Sequence, residues 1–251
     1  MKSSFYNFDL ASIHDISFDS FAKNASKYIL PLLENLKNKH LPIIDLGSGT
    51  GIFSEILVEN NYHVIGVDIS EDMIRVAEKK VPSGQFRVGS LWDYNFPPSC
   101  AVLSIGECFN YLSDRQISLK DLYTLFARIS VSLDLGGILI FDALCERDSM
   151  EEMRSVSVYE GDNWKINIER TEYGQVIERE IHIEKRNKYG FKYTTEFHVQ
   201  KRYHEGLMVE ILEYCGFTVN IRNDYGTAFN DPFHRVFTCI KSHEPGLVDD
   251  E

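Results

Sequence analysis

The chain has 251 residues, 43% of them hydrophobic and 25% charged, enough to bury the core of one α/β domain that carries an insertion. Its formal net charge of −12 disfavours a nucleic-acid partner, because phosphate backbones draw their affinity from Lys and Arg. No apolar run reaches the length of a membrane span, and the start MKSSFYNFDLASIHD lacks a basic-then-apolar leader. The five cysteines are odd in number and form no CxxC pair, so they read as reduced thiols in a cytoplasmic protein.

Taken in chain order, Phe21, Ala25, Ile29, Leu32, Leu33 and Leu36 fall at helical spacing and predict a helix over 21–39. The apolar run Ile43-Ile44-Asp45-Leu46 predicts a short buried strand. A helix over 52–60, a strand over 63–67, a helix over 71–80 and strands over 85–88 and 101–105 follow. A helix over 114–132 ends where Gly136-Gly137 breaks the pattern, and Ile138–Phe141 forms the fifth strand. Strands alternating with helices imply right-handed crossovers, hence a Rossmann-like, mostly parallel sheet with helices on both faces. From about 164 to 202 the period changes to two, with Gly174 and Gly190 at the breaks, which predicts a three-stranded antiparallel meander. A helix over 204–215, capped by Gly216, and strands over 217–223 and 234–240 close the chain. The expected organisation is one domain over 1–251, with a core at 40–145 and an antiparallel insertion at 155–202 that covers the site of a second substrate.

The strongest local signal is Asp45-Leu46-Gly47-Ser48-Gly49-Thr50-Gly51, at the carboxyl end of the first strand and the start of a helix. Ligands of open α/β sheets bind there. A dinucleotide fingerprint needs GxGxxG, and Ile52 stands where its third glycine belongs, so a nucleotide-binding oxidoreductase is the weaker reading. A carboxylate at Asp45 suits a cationic amino group better than a pyrophosphate. Asp68 closes the second strand, where a carboxylate can accept hydrogen bonds from ribose hydroxyls.

Asp45–Gly51 resembles motif I of the class I S-adenosylmethionine-dependent methyltransferases, and Asp68 in Val67-Asp68-Ile69-Ser70-Glu71-Asp72-Met73 resembles their acidic ribose-binding position. The resemblance covers roughly residues 40–145. It implies S-adenosylmethionine as cofactor and S-adenosylhomocysteine as product. Asp45, Gly47, Ser48, Gly49 and Gly51 would line the methionine and ribose, with Asp68 on the ribose and Ile69 and Met73 on the adenine. After the third strand the family carries an acidic residue; here Ser90-Leu91 follows, so the adenine contact falls to Ser90, the Leu91 backbone or Asp93. Ser104–Leu112 would face the transferring methyl group, with Gly106 on the cofactor. The Asn/Asp-Pro-Pro-Tyr/Phe tetrapeptide of DNA-modifying members is absent, which argues against nucleobase acceptors. Ile13-His14-Asp15 with Gly106-Glu107 and Asn110-Tyr111-Leu112 is similar to a set of bacterial stand-alone methyltransferases.

Candidate acceptor-side residues are His14, Glu107 and Tyr111. Glu196, His198 and Arg202 sit at even spacing on the last meander strand and share one face, a substrate wall or a solvated surface. His14 is a base or a helix-start residue paired with Asp15, and Tyr111 a substrate contact or core packing. No HExxH, Cys/His knuckle or calcium loop occurs, so no metal is expected. The expected activity is methyl transfer to a small molecule by a monomer or homodimer. A peptide or protein methyltransferase is the alternative, and a cofactor-binding module without turnover is a further one.

Overall fold

The computed structural model describes residues 8–112, 116–147, 151–227, 229 and 231–245, with side chains from residue 19 onward. Its elements are α1 (Phe8–Leu33), β1 (Ile43–Leu46), α2 (Ile52–Glu59), β2 (Val64–Asp68), α3 (Glu71–Lys80), β3 (Gln85–Val88), β4 (Ser99–Ser104), a 3-10 turn (Cys108–Asn110), α4 (Leu119–Ser132), β5 (Leu133–Leu144), β6 (Met153–Gly161), β7 (Trp164–Tyr173), β8 (Val176–Asn187), β9 (Gly190–Lys201), α5 (Glu205–Tyr214), β10 (Phe217–Arg222) and β11 (His234–Lys241). A seven-stranded sheet runs β10-β11-β5-β4-β1-β2-β3, and a separate four-stranded sheet runs β6-β7-β8-β9. In the first sheet β1, β2, β3, β4 and β5 are mutually parallel, while β11 is antiparallel to both β5 and β10.

Alternate residues of the central strands feed two apolar layers, as the pleat requires. Ile44, Leu46, Leu139, Phe141 and Phe237 pack with α4 and α5. Ile43, Leu103, Ile138, Ile140 and Val236 pack with α1 and α2 on the opposite face. Phe141 and Phe237 stack with centroids 4.7 Å apart, and Phe109 meets Phe141 edge-on at 4.9 Å. Helix starts follow local chemistry. The Ser70 hydroxyl accepts from the Met73 amide, and Ser118 and Asp121 form a reciprocal capping box. Gly216, at φ 94°, terminates α5 as its sequence position predicts.

Four boundaries differ from expectation. Helix α1 starts at Phe8 and ends at Leu33, ahead of the Asn- and Lys-rich stretch that follows. Helix α4 starts at Leu119, because the Ser118 capping box fixes its first turn. Strand β5 begins at Leu133, ahead of Gly136-Gly137, and runs past Phe141 to Leu144, which carries Asp142 into the core. The meander has four strands, not three, since β6 joins its edge. All nine residues of β6 are exposed, so the strand shows no apolar face to read.

The second sheet is attached by side chains of the turn after β4. The buried Asn110 donates to the carbonyls of Leu144 and Lys201 and accepts from the Leu144 amide. The Leu112 amide donates to Val199, and the Tyr203 hydroxyl donates to Phe109. The ends of β5 and β9 are thereby tied to the carboxyl edge of the main sheet.

Candidate active site

The order of the strands reverses between β1 and β4, the switch point at which open α/β sheets bind ligands. A cleft of about 890 Å³, its open mouth included, lies there. Asp45, Gly47, Ser48, Gly49, Asp68, Ile69, Met73, Ser90, Leu91, Gly106 and Tyr111, eleven residues singled out from the sequence, line it. Gly51 does not. A Cβ at Gly51 would stand 3.1 Å from the Ala77 Cβ, so this glycine lets α2 approach α3 instead of forming the wall.

The glycine turn is left-handed at Gly47 and Gly49, with φ of 70° and 53°. A side chain on Gly47 would strike the Cys108 sulfur, whereas a Cβ on Gly49 would meet nothing within 4 Å. Gly49 thus presents bare backbone to open space. The Asp68 carboxylate accepts from the amides of Gly49, at 2.9 Å, and Ser70, at 2.8 Å. Burial pushes its pKa up against those two bonds. Asp45 is buried and accepts from the Ser54 hydroxyl at 2.6 Å. Burial, opposed by that bond and reinforced by the Asp68 charge, raises Asp45 to about 6. The Ser48 hydroxyl is buried in the wall and has no hydrogen-bond partner among the described residues.

Behind Gly106 and Tyr111, outside the cleft lining itself, stands a polar wall that includes Glu107. Asp142, fully buried at the end of β5, accepts from the amides of Gly106 and Glu107, from the Tyr225 hydroxyl and from His234 Nε2, at 2.7–2.9 Å. Glu107 sits at φ 62°, an unfavourable backbone for a residue with a side chain, and those bonds hold it there. Its Oε2 accepts from Arg179 at 3.2 Å and Gln200 at 2.8 Å, and its Oε1 lies 3.8 Å from His234 Nδ1. Burial pushes Glu107 up, but the charges of Arg179 and His234 prevail and hold it below the ordinary carboxylate range. Burial lowers His234, yet Asp142 and Glu107 outweigh it and raise its pKa. Tyr111 accepts from Arg179 at 3.4 Å, and its ring meets His198 edge-on at 5.8 Å. Glu196, His198 and Arg202 are buried, so their shared face looks inward. His14 falls within α1, and its side chain lies outside the described residues.

Sequence reasoning missed Asp142, Arg179, Gln200 and His234. Only Gln200 was legible in principle, as the member between His198 and Arg202 of the same even-spaced row. It also missed Thr50, Ile52, Phe53, Val67, Gly89, Trp92, Ile105 and Cys108 in the cleft wall. The Cys108 thiol is held well above its ordinary pKa by burial and the nearby Asp142 and Asp68, so it is unsuited to nucleophilic attack.

Residues 43–128 match the family model described as a methyltransferase domain. The matched stretch is a methyltransferase domain. The sequence resemblance implies S-adenosylmethionine as its cofactor. The residues present fit that group: bare backbone at Gly49, an unpartnered buried hydroxyl at Ser48 and two carboxylates spaced along the cleft. The chain is 34% identical over 120 residues to a trans-aconitate 2-methyltransferase of Rhodopseudomonas palustris, spanning 47% of this chain and 43% of that protein. It is 24% identical over 142 residues to a dTDP-3-amino-3,4,6-trideoxy-alpha-D-glucopyranose N,N-dimethyltransferase of Streptomyces venezuelae, 55% of this chain and 58% of that one. The chain therefore spans less than two thirds of the length of the curated relatives it matches. An S-adenosylmethionine-dependent methyltransferase from Clostridium acetobutylicum superimposes with a TM-score of 0.75 over 93% of this chain and 98% of that one, at 20% identity, a likeness of fold.

Proposed function

We propose that this chain transfers a methyl group from S-adenosylmethionine to a small-molecule acceptor. One observation carries the reading: the cleft joins an open glycine turn and the Asp68 carboxylate to Gly106 and Tyr111, and a fixed polar network stands directly behind these two residues. In this reading Asp68 takes the ribose hydroxyls. Asp45, Gly47, Ser48 and Gly49 hold the amino-acid end, Ile69, Met73, Ser90 and Leu91 the adenine, and Gly51 acts at one remove by setting the helix. The cofactor supplies an already activated sulfonium methyl. The chain's own task is then alignment, which can contribute about 7–11 kcal/mol to lowering a barrier.

Tyr111 and Glu107 stand at the acceptor end, under β8 and β9. A carboxylate held below its ordinary range is a poor proton acceptor, so Glu107 orients the acceptor and does not deprotonate it. The second sheet covers this end and excludes water from it. The names of the two curated relatives, one for a carboxylic acid and one for an amino sugar nucleotide, support a small acceptor. The net charge of −12 speaks against nucleic acid. No described helix is long and apolar enough to cross a membrane. A cytoplasmic home, as monomer or homodimer, is our reading from five cysteines that are all free thiols. The test is calorimetric titration with S-adenosylhomocysteine, followed by transfer of labelled methyl from S-adenosylmethionine to a panel of small acids and amines. Failure to bind S-adenosylhomocysteine removes the proposal.

A further inference from the structure

On the inner face of the second sheet, Arg170 of β7 stands directly opposite Arg179 of β8. Like charges facing each other across two strands destabilise a sheet, and here the side chains are only 23% and 20% exposed, so water screens them poorly. Glu169 and Glu180 face each other across the same strands, but on the open side. Arg179 is compensated by Glu107. Arg170 belongs to a second cluster, in which it pairs with Glu172 at 2.6 Å and Asp231 at 2.9 Å. Arg202 binds the same two carboxylates, and Arg147 Nε lies 3.6 Å from Glu172. Three guanidiniums thus share two carboxylates. Arg147 Nε and Nη2, Arg170 Nε and Arg202 Nε are buried without a hydrogen-bond partner among the described residues. Buried unpaired donors on a charged group are expensive, and such groups call for a missing partner. The cluster lies beside the methyl-transfer wall: Arg170 acts electrostatically on Glu107, and its neighbour Arg179 donates to Tyr111, which lines the cleft.

We propose that Arg147 and Arg170 seat a carboxylate of the methyl acceptor, so the substrate class is a small carboxylic acid. This rests on the methyl-transfer reading above. Among the described residues the cluster has a surplus of one positive charge, which matches a monoanionic carboxylate, and a phosphate dianion would overfill it. The planar guanidinium fork suits two parallel N–H···O bonds to a carboxylate. Arg202, 1% exposed, is the wedge that holds Glu172 and Asp231 in place. The reacting atom of the acceptor then lies at Tyr111, with the anchoring carboxylate beyond Arg179, about one strand spacing (~4.8 Å) further along the sheet.

The experiment titrates trans-aconitate, succinate and inorganic phosphate into protein saturated with S-adenosylhomocysteine. The dicarboxylate or tricarboxylate binds, and Arg170→Gln weakens that binding at least tenfold, with Arg147→Gln weaker in effect. Both variants keep the affinity for S-adenosylhomocysteine, which also reports that they fold. If either variant fails to fold, arginine-selective labelling of the wild-type protein with phenylglyoxal decides the matter: the carboxylate protects Arg170. Equal carboxylate affinity in wild type and folded variants, labelling without protection, or binding of phosphate alone overturns the proposal. Absence of S-adenosylhomocysteine binding would instead strike the methyl-transfer reading, since carboxylate binding is read separately in unsaturated protein.

Discussion

The two sheets solve opposite problems. The seven-stranded sheet buries both faces in apolar side chains and leaves its chemistry to one edge, where backbone and two carboxylates form the cleft. The four-stranded sheet has a small apolar cluster of Ile166, Ile181 and Ile183 with Trp164 and Ile168 packed on it, and elsewhere its inner face carries several charged residues. The first sheet therefore holds most of the buried apolar core, and in the proposed function the second contacts the acceptor. A buried ion network contributes little net stability while holding groups in register.

The contrast is broken most directly by deletions in each core. Phe141→Ala removes a ring that contacts Phe109, Phe126 and Phe237, and it is expected to cost about 3–5 kcal/mol in denaturant unfolding. Ile181→Ala in the second sheet is expected at the low end of the ~2–5 kcal/mol range for such deletions, with S-adenosylhomocysteine affinity preserved. Equal losses at the two positions would mean that the second sheet is as much a part of the core as the first.

Asp45 gives the measure of buried charge in the cleft. Its pKa in the folded protein is raised from 3.8 to about 6, so the native state binds more protons than the unfolded chain between those values. Stability of the free protein consequently falls as pH rises from about 4 to 6, by ~3 kcal/mol if the whole rise is expressed. Asp45→Asn should match the wild type near pH 4 and exceed it in stability at pH 7, while binding S-adenosylhomocysteine more weakly. Parallel pH curves for the two proteins would remove Asp45 from the cleft's electrostatics.

Asp68→Ala tests the cleft by binding instead of folding. Loss of charge-assisted hydrogen bonds, each worth about 1.5–3 kcal/mol, predicts a weakening of S-adenosylhomocysteine binding by an order of magnitude or more. Unchanged affinity in the folded variant would separate the carboxylate from the ligand.

The same contrast explains what the sequence discloses. The turn from Asp45 to Gly51 is contiguous, its left-handed glycines have a local cause, and the strand that ends at Asp68 is a short apolar run; each is legible without the fold. The polar wall draws Glu107, Asp142, Arg179, Gln200 and His234 from β5, β8, β9, β11 and the turn after β4, and no spacing links them. Asp142 hides inside the apolar run Ile138–Leu144, where it looks like an interruption of a strand. Arg170 and Arg179 look like the charges of a solvated strand until register places them opposite each other. Gly51 shows the reverse error: its place in the motif suggests a wall residue, and only the packing of α2 on α3 assigns it otherwise.

The smallest expected effect belongs to the wall itself. His234 is raised above its ordinary 6.5 by Asp142 and Glu107 against the opposing pull of burial, so its stabilising contribution is complete below that pH and lost as pH rises through its folded value. Glu107 is lowered from 4.5, so its contribution is complete above that value and lost as pH falls through its folded pKa. The groups facing them are Asp142, Asp231, Arg179, Arg170 and Gln200, and together they make the wall firmest between about pH 4.5 and 6.5. His234→Gln should cost about 1 kcal/mol at pH 6 and progressively less at higher pH, and Glu107→Gln about as much at pH 6 and less towards acid. Urea unfolding across pH 4–9 reads both. If the two variants lose the same stability at every pH, the imidazolium is not what joins Asp142 to Glu107, and the wall is held by its backbone bonds alone.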